Sequence, residues 1–173
     1  EGSGWQIGQG FDGGFSHTDE QNPYAVDLIV REGTPILAAR GGVVMQVESA
    51  FDRAGTNRQK FAERANLVRI LHEDGTIATY AHLSPGGVKV TAGQRVAAGT
   101  VIGASGATGY ASGPHLHFVV QRLVRQNDGF AMVSVPVRFR VGNPPAVFVP
   151  RFGQRTTADH PAAVNEKRAT GAR

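Results

Sequence analysis

Cysteine is absent from the 173 residues, which excludes disulfides, thiolate catalysis and cysteine-rich zinc sites together. No stretch approaches the roughly 20 apolar residues that a membrane-spanning helix needs. Long polar helix formers are also scarce, whereas glycine (23) and proline (9) are plentiful. That balance predicts strands and turns in preference to helices. Excess charge is nearly missing from the body of the chain. The net charge is +4, and residues 151–173 supply +3 of it, through Arg151, Arg155, Lys167, Arg168 and Arg173 against Asp159 and Glu166. A near-neutral body argues against nucleic acid as a partner. No signal peptide is visible, but the chain opens on Glu1, which reads as a mature or trimmed product and leaves the compartment open.

What is present is a core's worth of apolar residues, 40% of the chain, enough for one domain of ordinary size. The organising stretch is Gly113-Pro114-His115-Leu116-His117-Phe118-Val119-Val120. Side chains alternate along a strand, so His115 and His117 share one face while Leu116 and Phe118 share the core face. Two imidazoles on one face are candidate metal ligands or acid/base groups. The small-residue run from Gly106 to Pro114 before them is a loop that permits close approach.

In chain order, residues 1–16 read as loop with a short strand. The polar run Thr18–Pro23 is a turn, and Tyr24–Val30 is a strand that places Asp27 among apolar neighbours. A carboxylate there is costly to bury unless it is paired, hydrogen-bonded or on a metal. Short strands follow at Ile36–Ala39 and Gly41–Val47. Residues 49–65 form a long, polar loop of net charge +2 with room for a helical turn, and long loops in compact domains are often functional. Asn66–His72 and Thr76–Leu83 pair as a hairpin through Glu73-Asp74-Gly75, which puts Tyr80 on the face of His82. A last strand pair is expected around Met132–Val141, an extended Pro-rich segment over 142–150, and partial disorder from Arg151. This divides the chain into a domain at 1–150 and a basic tail at 151–173.

The metal-capable residues are His17, Asp27, His72, His82, His115, His117 and His160. Ser16-His17-Thr18, Ala25-Val26-Asp27, Gly33-Thr34-Pro35-Ile36-Leu37-Ala38-Ala39, Tyr80-Ala81-His82-Leu83 and Gly113-Pro114-His115-Leu116-His117-Phe118 follow one another in this order. Together they resemble the lysostaphin/LytM-type zinc metallopeptidases, the M23 group of cell-wall endopeptidases, over about residues 10–141. The resemblance implies a mostly β fold of packed antiparallel sheets, duplicated-hybrid-motif-like, with a zinc site lining a groove. It implies His17, Asp27 and His117 as zinc ligands, and His82 and His115 as the two catalytic histidines. Two histidines and a carboxylate with an open fourth position also suit a catalytic zinc, which can bring a water's pKa to about 7. In one respect the chain departs from the group: ten positions separate His17 from Asp27, where many members hold the pair closer.

The resemblance further implies hydrolysis of peptide cross-links or stem peptides of peptidoglycan by a monomer in the periplasm or outside the cell. A non-catalytic LytM-like regulatory or wall-binding module is the alternative within the group, but such members lack ligands or catalytic histidines, and here every position is filled. A two-histidine phosphocarrier would explain His115 and His117 but not Asp27 or His17. His72 reads as structural or solvent-facing, and His160 as part of the tail.

Overall fold

The computed structural model describes residues 5–14, 16–17, 20–127, 129–142 and 145–156. Its strands, in chain order, are β1 (Trp5–Gln9), β2 (Val26–Ile29), β3 (Pro35–Leu37), β4 (Gly42–Glu48), β5 (Ala54–Gly55), β6 (Asn66–Leu71), β7 (Ile77–Leu83), β8 (Arg95–Val96), β9 (Val101–Ala104), β10 (Gly109–Tyr110), β11 (Leu116–Gln126), β12 (Gly129–Ser134), β13 (Phe139–Val141), β14 (Ala146–Phe148) and β15 (Arg155–Thr156). Among the described residues the one helix is a single turn, α1 (Arg58–Phe61), capped by the Asn57 side chain, which accepts from the Lys60 N–H. No helix among them is long and apolar enough to cross a membrane.

One large antiparallel sheet runs β15-β1-β2-β11-β7-β6-β4-β8, with β12 paired to β11. Alternation sorts its two faces. Val26, Leu28, Val68, Ile70, Ala78, Tyr80, Leu116 and Phe118 point into the core, where Ile36 of β3 and Ile102 of β9 cover them from a small second sheet. β13 and β14 form another antiparallel pair, whose Phe139 and Phe148 pack against the edge of that core. The fold is thus mostly β, as the composition suggests, and mostly antiparallel, as the resemblance implies. The parallel pairing of β5 with β10 is an exception.

Three expectations from sequence are corrected. Tyr80 and His82 do not share a face. The pairing of β6 with β7 slips between Asn66 and Leu67, and His82 sits at φ 64. That is the left-handed region, rare outside glycine, and the extra residue of a bulge ends the alternation. Tyr80 is buried in the core with its hydroxyl accepting from the Ala39 N–H, while His82 turns to the opposite, open face. Nor do residues 132–141 form a strand pair, because β12 pairs with β11 and β13 with β14. Finally, the chain from Arg151 to Thr156 is not loose. The Ile7 N–H donates to Gln154 O at 2.9 Å and the Gly153 N–H to Ile7 O at 2.8 Å, so β15 caps the edge of β1. The rest of the expected tail, His160 included, lies outside the described residues, as do Thr18 and Asp19 of the expected turn.

The small-residue loop before β11 serves the chain itself. A Cβ on Gly106 would fall 2.5 Å from Ser84 Cα, and Gly109, at φ 86, passes with its Cβ position 2.9 Å from the Ala65 backbone. Backbone meets backbone there, and the loop is drawn in beside the bulge at His82.

Candidate functional site

Strand register assembles the site. Asp27 of β2 stands directly opposite His117 of β11. Their side chains therefore leave the same face of the sheet, within contact of each other. On the far side of β2, β1 carries a bulge between Ile7 and Gln9, which sets Gln9 opposite Asp27. His17 enters from the segment between β1 and β2. Its backbone N–H donates to Gly13 O, and its Nδ1–H to Gly10 O at 3.1 Å. His115, at an isolated bridge with Gly106, precedes β11 and lies on the same face as His117. His82 reaches this face through its bulge.

His17 and Asp27 are only 2% and 6% exposed. Such burial works against ionisation of Asp27, but hydrogen bonds and charge from His117 and His17 outweigh it and hold its carboxyl well below the usual carboxylate range. Oδ1 of Asp27 lies 3.3 Å from His17 Nε2 and 2.9 Å from His117 Nδ1. The outer sides of these groups are already taken. Gln9 Nε2 donates to Asp27 Oδ2 and to Ser16 Oγ, and His117 Nε2 lies 3.2 Å from Asn22 Oδ1.

This donor set fits a metal ion. Gly10 O accepts from His17 Nδ1–H, so Nε2, which meets Asp27, is the nitrogen a metal would take. Asn22 Oδ1 accepts from His117 Nε2–H, so Nδ1 is the nitrogen a metal would take there. The carboxylate brings Oδ1. One ligand atom from each of His17, Asp27 and His117 lies within 4.8 Å of the others, close enough for the three to hold one metal ion between them. Two histidines and one carboxylate are also a common set for catalytic zinc.

His82 and His115 flank the cluster without joining it. His82 donates Nδ1–H to Thr108 O at 2.7 Å, and His115 to Gly113 O at 2.9 Å. His115 Nε2 is 4.0 Å from Asp27 Oδ1. Burial, followed by the charges of His115 and His117, pushes the His82 imidazole down to about 3, so it is neutral at neutral pH. Thus the five residues singled out by sequence come together. His72 does not join them. It is buried at the other end of the sheet, with Nδ1–H on Gly41 O.

The cluster forms the floor of a groove of about 1090 Å3. Gln9, Ser16, Gln21 and Asn22 stand on one side, and Arg58, Ala62 and Glu63 on the other, with Tyr110–Pro114 at its margin. The 49–65 loop therefore borders the groove, but it is tied down. Asn66, fully buried, accepts from the Phe51 N–H and donates to Phe51 O and Ser84 O. Its own N–H donates to Thr108 Oγ1, whose hydroxyl donates to Leu83 O. Asn66 and Thr108 thereby link the loop, the bulge and the carbonyl that orients His82. Asn66, Gln9, Asn22 and Thr108 are not marked by the sequence as site residues, because each acts across strands or turns distant in the chain.

Comparison with known proteins agrees with this geometry. Residues 21–129 match Peptidase family M23. The chain is 40% identical over 98 residues to the glycyl-glycine endopeptidase ALE-1 of Staphylococcus capitis, covering 56% of this chain and 24% of that protein. It is 34% identical over 119 residues to the peptidoglycan DD-endopeptidase ShyA of Vibrio cholerae, covering 67% and 25%. The crystal structure of a zinc containing peptidase from Vibrio cholerae superposes with a TM-score of 0.51 at 28% identity, over 69% of this chain and 34% of that one. The chain spans a quarter or less of the length of these curated relatives.

Proposed function

The chain belongs to Peptidase family M23, and on that footing we propose that it is a zinc-dependent endopeptidase. Its substrate is the peptide part of bacterial peptidoglycan, cross-links or stems, and its place of action is the periplasm or the cell exterior. The observation that carries this reading is the convergence of the His17, Asp27 and His117 ligand atoms beside two further histidines in an open groove. The relatives support the substrate class, since ALE-1 is named for cutting glycyl-glycine bonds and ShyA for peptidoglycan DD-bonds.

In this reading His17 Nε2, Asp27 Oδ1 and His117 Nδ1 hold zinc. When bound, zinc acts as a Lewis acid that lowers the pKa of water and polarises a carbonyl. The chain's own histidines manage the protons. With each Nδ1–H committed to a backbone carbonyl, the Nε2 atoms of His82 and His115 carry the lone pairs. A neutral Nε2 takes the proton from attacking water, and once protonated it donates to the oxyanion or to the leaving amine. A groove of this volume has room for a peptide segment above the cluster.

Digestion of purified peptidoglycan of several cross-link chemistries, with new amine ends identified by mass spectrometry, tests the proposal. New amine ends in the peptide part, abolished by a chelator and restored by zinc, are expected. Walls left intact by zinc-loaded protein would contradict it.

A further inference from the structure

We infer that Asn22 is the positioning residue that makes Nδ1 of His117 the metal-ligating nitrogen, and that the turn between His17 and Asp27 serves to deliver it. This rests on the zinc site proposed above.

Both nitrogens of His117 face an oxygen: Nδ1 faces Asp27 Oδ1 at 2.9 Å, and Nε2 faces Asn22 Oδ1 at 3.2 Å. An amide oxygen only accepts, so Asn22 holds a proton on Nε2 whatever stands at Nδ1, and Nδ1 is the nitrogen left to ligate a metal beside Asp27. Without Asn22 the imidazole is free to carry its proton on Nδ1, hydrogen-bonded to Asp27, and that tautomer removes the ligand. Partners on the outer nitrogen of a ligating histidine fix ring and tautomer in this way.

The turn that carries Asn22 is clamped from both sides. Gln121 Nε2 of β11 donates to Gln21 O at 3.0 Å. Ser134 of β12 accepts at Oγ from the Tyr24 N–H at 3.2 Å and donates its own N–H to Glu20 O at 3.4 Å. Asn22 O accepts from the Ala25 N–H at 2.8 Å. Gln121 and Ser134 are both buried. Two strands of the sheet thus give up buried polar groups to seat a turn that the short route from His17 to Asp27 would not need. The ten-residue spacing reads accordingly as a device: it places an acceptor on the outer face of a ligand two strands from where the turn begins.

The test is zinc affinity, measured by chelator competition, together with long-range 1H–15N spectra of the zinc-loaded protein labelled at histidine. In the wild type, His117 should be protonated on Nε2. Asn22→Ala should weaken zinc binding by about 10- to 100-fold, and Asn22→Asp, which also accepts from Nε2–H, should restore it. If the alanine variant fails to fold, Asn22→Ser, too short to reach Nε2, gives the same reading. Wild-type protein that binds zinc alongside an alanine or serine variant that binds within twofold of it overturns the role of Asn22 alone. Wild-type protein that takes up no zinc overturns the metal site, and this inference with it.

Discussion

His82 and His115 stack at an angle of 42° with ring centroids 4.5 Å apart, and each ring is fixed by a backbone carbonyl on its outer side. Neither belongs to the ligand cluster. Replacing either by alanine should leave zinc content unchanged and lower the rate by roughly two to four orders of magnitude. Metal analysis beside a hydrolysis assay reads both quantities. Loss of zinc in one variant would make that histidine a ligand.

The ordering of His82 depends on the buried residues Asn66 and Thr108. Asn66→Ala strips partners from Phe51 N–H, Phe51 O and Ser84 O in the interior. Burying unsatisfied groups of this kind should cost about 2 to 4 kcal/mol, measured by denaturant unfolding of the zinc-free protein. Hydrogen exchange should rise in the 49–65 loop before it rises in β11.

The zinc-free protein should be most stable between about pH 7 and 10. Burial lowers the His82 imidazole from 6.5 to about 3. The unfolded chain therefore binds the proton first, and stability falls as pH drops below 6.5. Asp27, depressed by His117 and His17 despite its burial, adds a further loss below its ordinary value of 3.8. On the alkaline side burial raises the Tyr80 hydroxyl from 10.0 to about 12, so the unfolded chain ionises first and stability falls above pH 10. Melting curves across pH check all three signs. Tyr80→Phe should flatten the alkaline limb at a cost of about 1 kcal/mol for the lost Ala39 hydrogen bond.

Substrate choice should be sensitive to Arg58, which α1 sets on the groove wall. Removing the whole 49–65 loop would uncover Asn66 and the Gly109 approach, so a point change is the cleaner probe. Arg58→Ala should retain zinc and lower kcat/KM on stem peptides with free carboxylates more than on a neutral amide. Equal effects on both substrates would remove Arg58 from specificity.

A chain ending at Pro150 should melt at a lower temperature than one ending at Thr156. The longer chain keeps the two backbone hydrogen bonds to Ile7 and the buried Gln154, while the shorter one leaves β1 an open edge. Equal melting temperatures would show that β15 contributes nothing.

Much of this was legible in the sequence, and the reason is periodicity. His117 lies in β11 and His115 at the bridge just before it, so the alternation of an extended chain puts them on one face. Asp27 among β-branched neighbours signals a buried carboxylate that needs partners. The hairpin through Asp74 and Gly75 also forms where the turn residues indicate. Alternation fails at His82, because a left-handed residue inside a strand is a tertiary device with no local signature. It fails again at β13 and β14, short consecutive strands that pair with each other and hold Phe139 against Phe148, a pairing that no alternation announces. Gln9 and Asn22 were illegible for the same reason: a polar residue in a strand or turn shows its purpose only when the histidine or carboxylate it supports arrives from elsewhere.

The metal centre is tested most directly by zinc analysis of the purified protein and of its Asp27→Ala and His117→Ala variants after equilibration with a moderate chelator. About one zinc per wild-type chain is expected, and none in either variant, since two remaining ligands cannot compete with the chelator. Stoichiometric zinc in either variant, with hydrolysis preserved, would contradict the assignment of His17, Asp27 and His117.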